Sequence, residues 1–102
     1  MDLFSRYPPS AREAEIVVQI QFICRAKNGV KALAPEQYLD RKENALRLAG
    51  TLTDDFYQAS ALRHIIALCV ATNDPDAKRL LKEVRIAFIR QKIVEAHPEL
   101  SF

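Results

Sequence analysis

The segment Asp74–His97 carries two apolar stripes on one helical period, and this limits the architectures open to the chain more than any other feature. Asp74 and Pro75 suit the start of a helix: the carboxylate accepts from free backbone N–H groups, and proline has no N–H to leave unpaired. Asp76 adds negative charge at the positive end of the helix dipole. Pro98 disfavours helical backbone at His97 and sets the far boundary. Wound at about 100° per residue, Leu80, Leu81, Val84, Ala87 and Phe88 share one face and read as core. Ile86, Ile89 and Ile93 fall nearly opposite, edged by Lys78, Arg79, Lys82, Arg85, Arg90 and Lys92. A monomer's surface helix needs a single apolar stripe. The second is therefore covered by another helix or by another molecule. The cations at its edges favour another molecule, because Lys and Arg are costly to bury in a small domain.

Three further helices are expected. Ser10-Ala11-Arg12-Glu13 has the spacing of a capping box and opens a helix over about residues 10–27, stopped by Asn28-Gly29. Its main apolar face is Ile16, Val17, Ile20, Ile23 and Cys24, while Val18 and Phe22 point the other way. Pro35 and Glu36 open a second helix over 35–49 that ends before Gly50. Tyr38, Leu39, Ala45, Leu46 and Ala49 make its narrow stripe, with Arg41, Lys42, Glu43 and Arg47 assigned to water. Thr53 caps a third helix, 54–72, whose buried side is Leu62, Ile65, Ile66 and Cys69. The short link Thr72-Asn73-Asp74 leads into the fourth helix, 75–97. The expected fold is all-α: a compact four-helix bundle or two packed helical hairpins. It forms a single domain over 1–102, with an arm at 1–9 anchored by Leu3, Phe4 and Tyr7 and a tail at 98–102 whose Leu100 and Phe102 fold back. At 102 residues the chain can bury a core without disulfides or metals.

No constellation points to chemistry. Two His and two Cys, without Cys-x-x-Cys or His-x-x-x-His spacing, give no metal site and no cofactor. The isolated glycines Gly29 and Gly50 form no phosphate-binding loop. Cys24 and Cys69 read as reduced, buried thiols, and no catalytic residue is assigned. A net charge of +2 announces neither nucleic acid nor membrane. No apolar run reaches the length of a membrane span, and a cytoplasmic location is expected.

Two readings remain. The first is a non-enzymatic interaction module, a homodimeric adaptor or regulator, contacting its partner through Ile86, Ile89 and Ile93 with Val18 and Phe22. An apolar centre with a basic edge fits a protein contact better than a phosphate groove. The second is a small DNA- or RNA-binding regulator, with Lys78, Arg79, Lys82, Arg85, Arg90 and Lys92 on phosphates. It is weakened by the three isoleucines that run through the middle of that basic face.

Overall fold

The computed structural model describes residues 9–25 and 34–101. Among them are five α-helices and no strand: α1 (Pro9–Cys24), α2 (Pro35–Ala49), α3 (Asp55–Ala71), α4 (Asp76–Glu83) and α5 (Ala87–Ala96), closed by a 3₁₀ turn over Pro98–Leu100. The all-α class is as expected. The count differs because the anticipated last helix is two. The arm anchors Leu3, Phe4 and Tyr7, the Asn28-Gly29 stop and Phe102 lie outside the described residues.

Helix α3 is the centre, packed against α1, α2, α4 and α5. Its Ala59, Ala61, Leu62, Ile65, Ile66, Leu68 and Cys69 are all buried, so it lacks the half-polar circumference of a surface helix. The four buried residues expected from periodicity are among them. Ile20 of α1, Ala45 and Ala49 of α2, Leu80 and Val84 at the end of α4, Ile89 and Ile93 of α5, and Leu100 of the closing turn join it in one core.

Two helix starts are capped differently from the sequence reading. Asp54, not Thr53, caps α3: its Oδ1 accepts from the N–H groups of Phe56 (2.8 Å) and Tyr57 (3.1 Å). Glu13 does not reach back within its own helix. Its Oε1 accepts from the backbone N–H of Thr53, from that of Asp54 (3.1 Å) and from the Thr53 hydroxyl (3.1 Å). A carboxylate on α1 thus serves the positive end of α3, which ties the two elements together at their ends. The Thr53 N–H above all holds this carboxyl below its ordinary range, against the opposing effect of burial.

The end of α3 is a Schellman turn. Asn73 takes φ 59°, a left-handed conformation that asparagine tolerates better than most residues. The N–H of Asp74 reaches the Cys69 carbonyl (2.8 Å) and that of Asn73 reaches Val70 (3.1 Å), the paired bonds of this motif. The turn fixes where Asp74 stands.

The segment expected to be one helix over 75–97 breaks at residues 84–86, with Val84 (ψ 115°) and Ile86 (ψ 110°) extended. Neither proline nor glycine causes the break. A continuous helix would turn Leu80 and Val84 to the core and leave Ile89 and Ile93 outside. The break reorients the last ten residues, so that Ile89 and Ile93 become 5% and 1% exposed. Burying an isoleucine is worth roughly 1.5–3 kcal/mol, whereas a backbone hydrogen bond contributes about 1 kcal/mol net. The break thus exchanges Phe88, which turns outward, for two buried isoleucines. The carbonyl of the fully buried Val84 is not left empty: Arg90 donates to it from Nε (3.2 Å) and Nη2 (2.5 Å). In consequence Ala87 and Phe88, expected in the core, are exposed, Phe88 by 65%.

Candidate interaction surface

The structure separates the five residues expected to form a partner interface. Ile89 and Ile93 belong to the chain's own core and Ile86 is partly buried against it, which corrects their assignment to a partner surface. Val18 and Phe22 remain outside, 48% and 66% exposed. They lie on the side of α1 away from Ile20, which is fully buried, and from Ile16, Val17, Ile23 and Cys24, which pack on the core. Spaced i, i+4, they form one contiguous apolar patch along the helix. Glu15 beside them is exposed. Leu39, Phe56 and Phe88 are the other large exposed apolar side chains among the described residues, each on a different helix. Periodicity places Leu39 in the apolar stripe of α2, and the structure turns it outward. Apolar residues scattered singly are ordinary on a protein surface, and a paired patch is less so.

The six cations of the phosphate reading are exposed, but several are engaged within the chain. Arg79 pairs with Asp76 (3.3 Å) and Glu83 (3.8 Å), Arg85 with Asp55 (3.7 Å), and Lys92 with Glu95 (3.6 Å). Lys92 also stands 5.4 Å from the centroid of the Phe88 ring. Exposed pairs of this kind are weak and exchange readily. Arg90 is different, because its guanidinium completes the backbone at the helix break. Lys82 and Arg85 share the rim of a cleft of about 450 Å³ with the acid Glu83.

A polar cluster that the sequence reading missed joins α2 to the α3–α4 turn. Lys42, assigned to water, is buried, with Nζ 2.6 Å from both Asp74 Oδ2 and Asp76 Oδ2. The Tyr38 hydroxyl donates to Asp74 Oδ2 and lies 3.5 Å from Cys69 Sγ. Asp74 Oδ1 accepts from the N–H of Asp76, the first residue of α4 (3.0 Å), so one carboxylate holds both that helix start and α2. Burial raises the Asp74 pKa, but the hydrogen bonds from Lys42 and Tyr38 outweigh it and hold the group below its ordinary range. The Lys42 and Arg79 hydrogen bonds bring Asp76 down to about 2. Burial pulls Lys42 downward, and its two carboxylate partners more than reverse that. The missed signal was positional: Tyr38, Lys42, Ala45 and Ala49 fall on one helical seam, so Lys42 sits in the middle of an apolar stripe. Arg41 was also assigned to water, and it donates to the carbonyls of Ile23 (3.2 Å) and Arg25 (2.9 Å) at the end of α1.

Cys24 and His64 line the same cleft of about 300 Å³ with Gln21, Arg25, Ala67 and Leu68. Burial and the neighbouring Cys69 push the Cys24 thiol up to about 12, and burial with Arg63 and Arg25 lowers His64. A thiol held protonated at neutral pH is a poor nucleophile, and a neutral imidazole beside it gives no activating cation. Among the described residues, no group of three His, Cys, Asp or Glu side chains could hold a metal ion, and no helix is long and apolar enough to cross a membrane. Comparison of the chain with protein-family models, with curated proteins and with solved structures finds no match.

Proposed function

We propose that this chain is a non-enzymatic protein–protein interaction module, an adaptor or regulator that docks through the outer face of α1. The observation that supports this reading is the pairing of Val18 and Phe22, both about half exposed or more, on a helix whose opposite side is committed to the core. Aromatic side chains standing clear of a rigid element are the usual anchors of protein contacts, because they cover large area at small entropic cost. α1 is rigidly held for such a role. Glu13 fixes its first turns to α3, and Arg41 of α2 closes its last carbonyls.

The test is site-specific photo-crosslinking in the native cell extract. A photoreactive phenylalanine analogue at position 22 is expected to capture a protein, whether a second copy or another chain, while the same analogue at exposed Gln91 on α5 does not. Equal or absent capture at the two positions would overturn the reading.

A further inference from the structure

We infer that the end of α4, the break after it and the exposed start of α5 bind single-stranded nucleic acid. Phe88 is the stacking platform, and Lys82, Arg85 and Lys92 meet phosphates. None of these residues belongs to the α1 patch, so this site stands or falls separately from the docking of a protein there.

In the sequence, the case against phosphates in this segment is the isoleucine stripe that runs between its cations. The fold removes that objection. The break takes Ile89 and Ile93 into the core and partly buries Ile86. The same reorientation brings Phe88 out, in the first turn of α5. Between residues 85 and 92 the exposed side chains are Arg85, Ala87, Phe88, Arg90, Gln91 and Lys92. An aromatic ring among cations stands where the sequence shows an apolar stripe.

Lys92 Nζ lies 5.4 Å from the centroid of the Phe88 ring. Arg85 precedes the ring by three residues and lines one cleft with Lys82, which joins the end of α4 to this surface. From Asp76 to Ala96 six cations stand against three acids, Asp76, Glu83 and Glu95, and Asp76 is already held by Lys42. The pairs made by Arg85 and Lys92 are long, 3.7 Å to Asp55 and 3.6 Å to Glu95. A good charge-assisted bond measures about 2.7–2.9 Å, and exposed long pairs contribute little. Both cations can therefore turn to phosphate oxygens at small cost. Arg90 takes no part, because its guanidinium holds the Val84 carbonyl. Arg79 is flanked by Asp76 and Glu83, and Lys78 lies apart on the rim of a cleft with Glu99 and Leu100.

An aromatic face beside cations is how proteins hold single strands without reading sequence: a base stacks on the ring while the cations follow the backbone. A duplex keeps its bases stacked on one another and offers the ring nothing. An acidic protein surface would answer the cations and leave the ring in water. Phe88 to Lys92 is about one helical turn, about 6 Å, so the site holds a few nucleotides with one stacked base. Binding is weak and sensitive to salt.

The experiment is fluorescence anisotropy of a labelled oligothymidylate of about twelve nucleotides, titrated with the full chain. Wild type should bind with a Kd on the order of 10⁻⁵ M at low salt. Affinity should fall roughly twentyfold between about 50 and 200 mM salt, as expected for about three phosphate contacts on a single strand. Phe88→Ala should weaken binding about tenfold with the salt dependence unchanged, and Phe88→Tyr should stay within a few-fold of wild type. Arg85→Gln combined with Lys92→Gln should flatten the salt dependence to that of about one contact. Oligouridylate should match oligothymidylate within a few-fold, because stacking and phosphate contacts do not read the sugar. Duplex DNA of the same length should bind more weakly than either. These side chains are exposed, so the variants are expected to fold, and far-UV circular dichroism checks it. Wild type that does not bind at low salt would overturn the inference. So would a Phe88→Ala protein that binds like wild type, a duplex held as tightly as the single strand, or a strand selected by its sugar. Equal affinity for polyglutamate would assign the face to an acidic protein and overturn it as well. Crosslinking at position 22 reads the α1 proposal alone, so failure of either leaves the other standing.

Discussion

Helix α1 and the segment Asp76–Ala96 present the same problem in the sequence, apolar residues on two sides of one helical period, and the fold solves it differently in each. In the second segment the apolar residues divide almost evenly between the sides. The chain breaks at Val84–Ile86, so that Leu80 and Val84 of one set and Ile89 and Ile93 of the other reach the core, while Ala87 and Phe88 turn outward. In α1 the division is uneven: Ile16, Val17, Ile20, Ile23 and Cys24 already face inward, and Val18 and Phe22 stay outside. A break there would disturb five core contacts to rescue two. The comparison teaches that a second apolar stripe is not in itself a docking surface. It stays on the outside only where burying it would cost more core than it gains.

The sharpest way to break this contrast is to truncate a residue of the internalised stripe. Ile93→Ala removes a side chain that is 1% exposed and is expected to cost about 3 kcal/mol, within the usual span for large-to-small core changes. Urea unfolding followed by circular dichroism measures it. A loss below about 0.5 kcal/mol, the size of an ordinary surface change, would mean that the stripe is not core.

The next effect concerns what holds the broken segment's first half in place. Lys42→Met leaves Asp74 without its cation and is expected to cost about 2 kcal/mol at neutral pH, between the worth of an exposed pair and of a fully buried one. The loss should depend on pH in a definite direction. Asp74 and Asp76 are held below the ordinary carboxylate range when folded, so the folded state binds fewer protons than the unfolded one in acid. Their contribution is complete above the unfolded value near pH 4 and fades as pH falls toward the folded values, about 2 for Asp76. The difference between wild type and Lys42→Met should narrow over that window. A difference constant from neutral pH to acid would show that packing of the lysine stem, not the ion pairs, carries the effect.

Arg90→Met examines the break itself. It removes both donors from the buried Val84 carbonyl and should cost about 1 kcal/mol by the same unfolding measurement. No loss would mean that the break needs no such support. Phe22→Ala completes the contrast with the smallest change: under dilute conditions it should alter stability by less than about 0.5 kcal/mol. A large loss would place Phe22 in the core after all.

Much of this fold was legible in the sequence where local chemistry and periodicity agree. Pro35 and Gly50 bracket α2 closely, and the buried side of α3 follows from the spacing of Leu62, Ile65, Ile66 and Cys69. Val18 and Phe22 were assigned to the outer face of α1 from spacing alone, and that is where they stand. The break at residues 84–86 was not legible, because a 100° pattern runs through Val84, Arg85 and Ile86 unbroken by proline or glycine. Only tertiary burial decides there, so Ile89 and Phe88 exchanged sides. Lys42 and Glu13 were misplaced for a related reason. Each was judged against its own helix, as a solvated face or a local cap, while its actual partners lie across the fold at Asp74, Asp76, Thr53 and Asp54. Long-range polar pairing leaves little trace in sequence spacing, except where a charge interrupts an apolar seam as Lys42 does.

The most direct test of the contrast is to place the same charge in each stripe, Phe22→Asp and Ile93→Asp, and record far-UV circular dichroism through a urea titration at dilute concentration. The account predicts that Phe22→Asp unfolds cooperatively with the wild-type midpoint, while Ile93→Asp is largely unfolded before urea is added. A folded Ile93→Asp protein beside a collapsed Phe22→Asp protein would contradict it, and would return the isoleucine stripe to the surface.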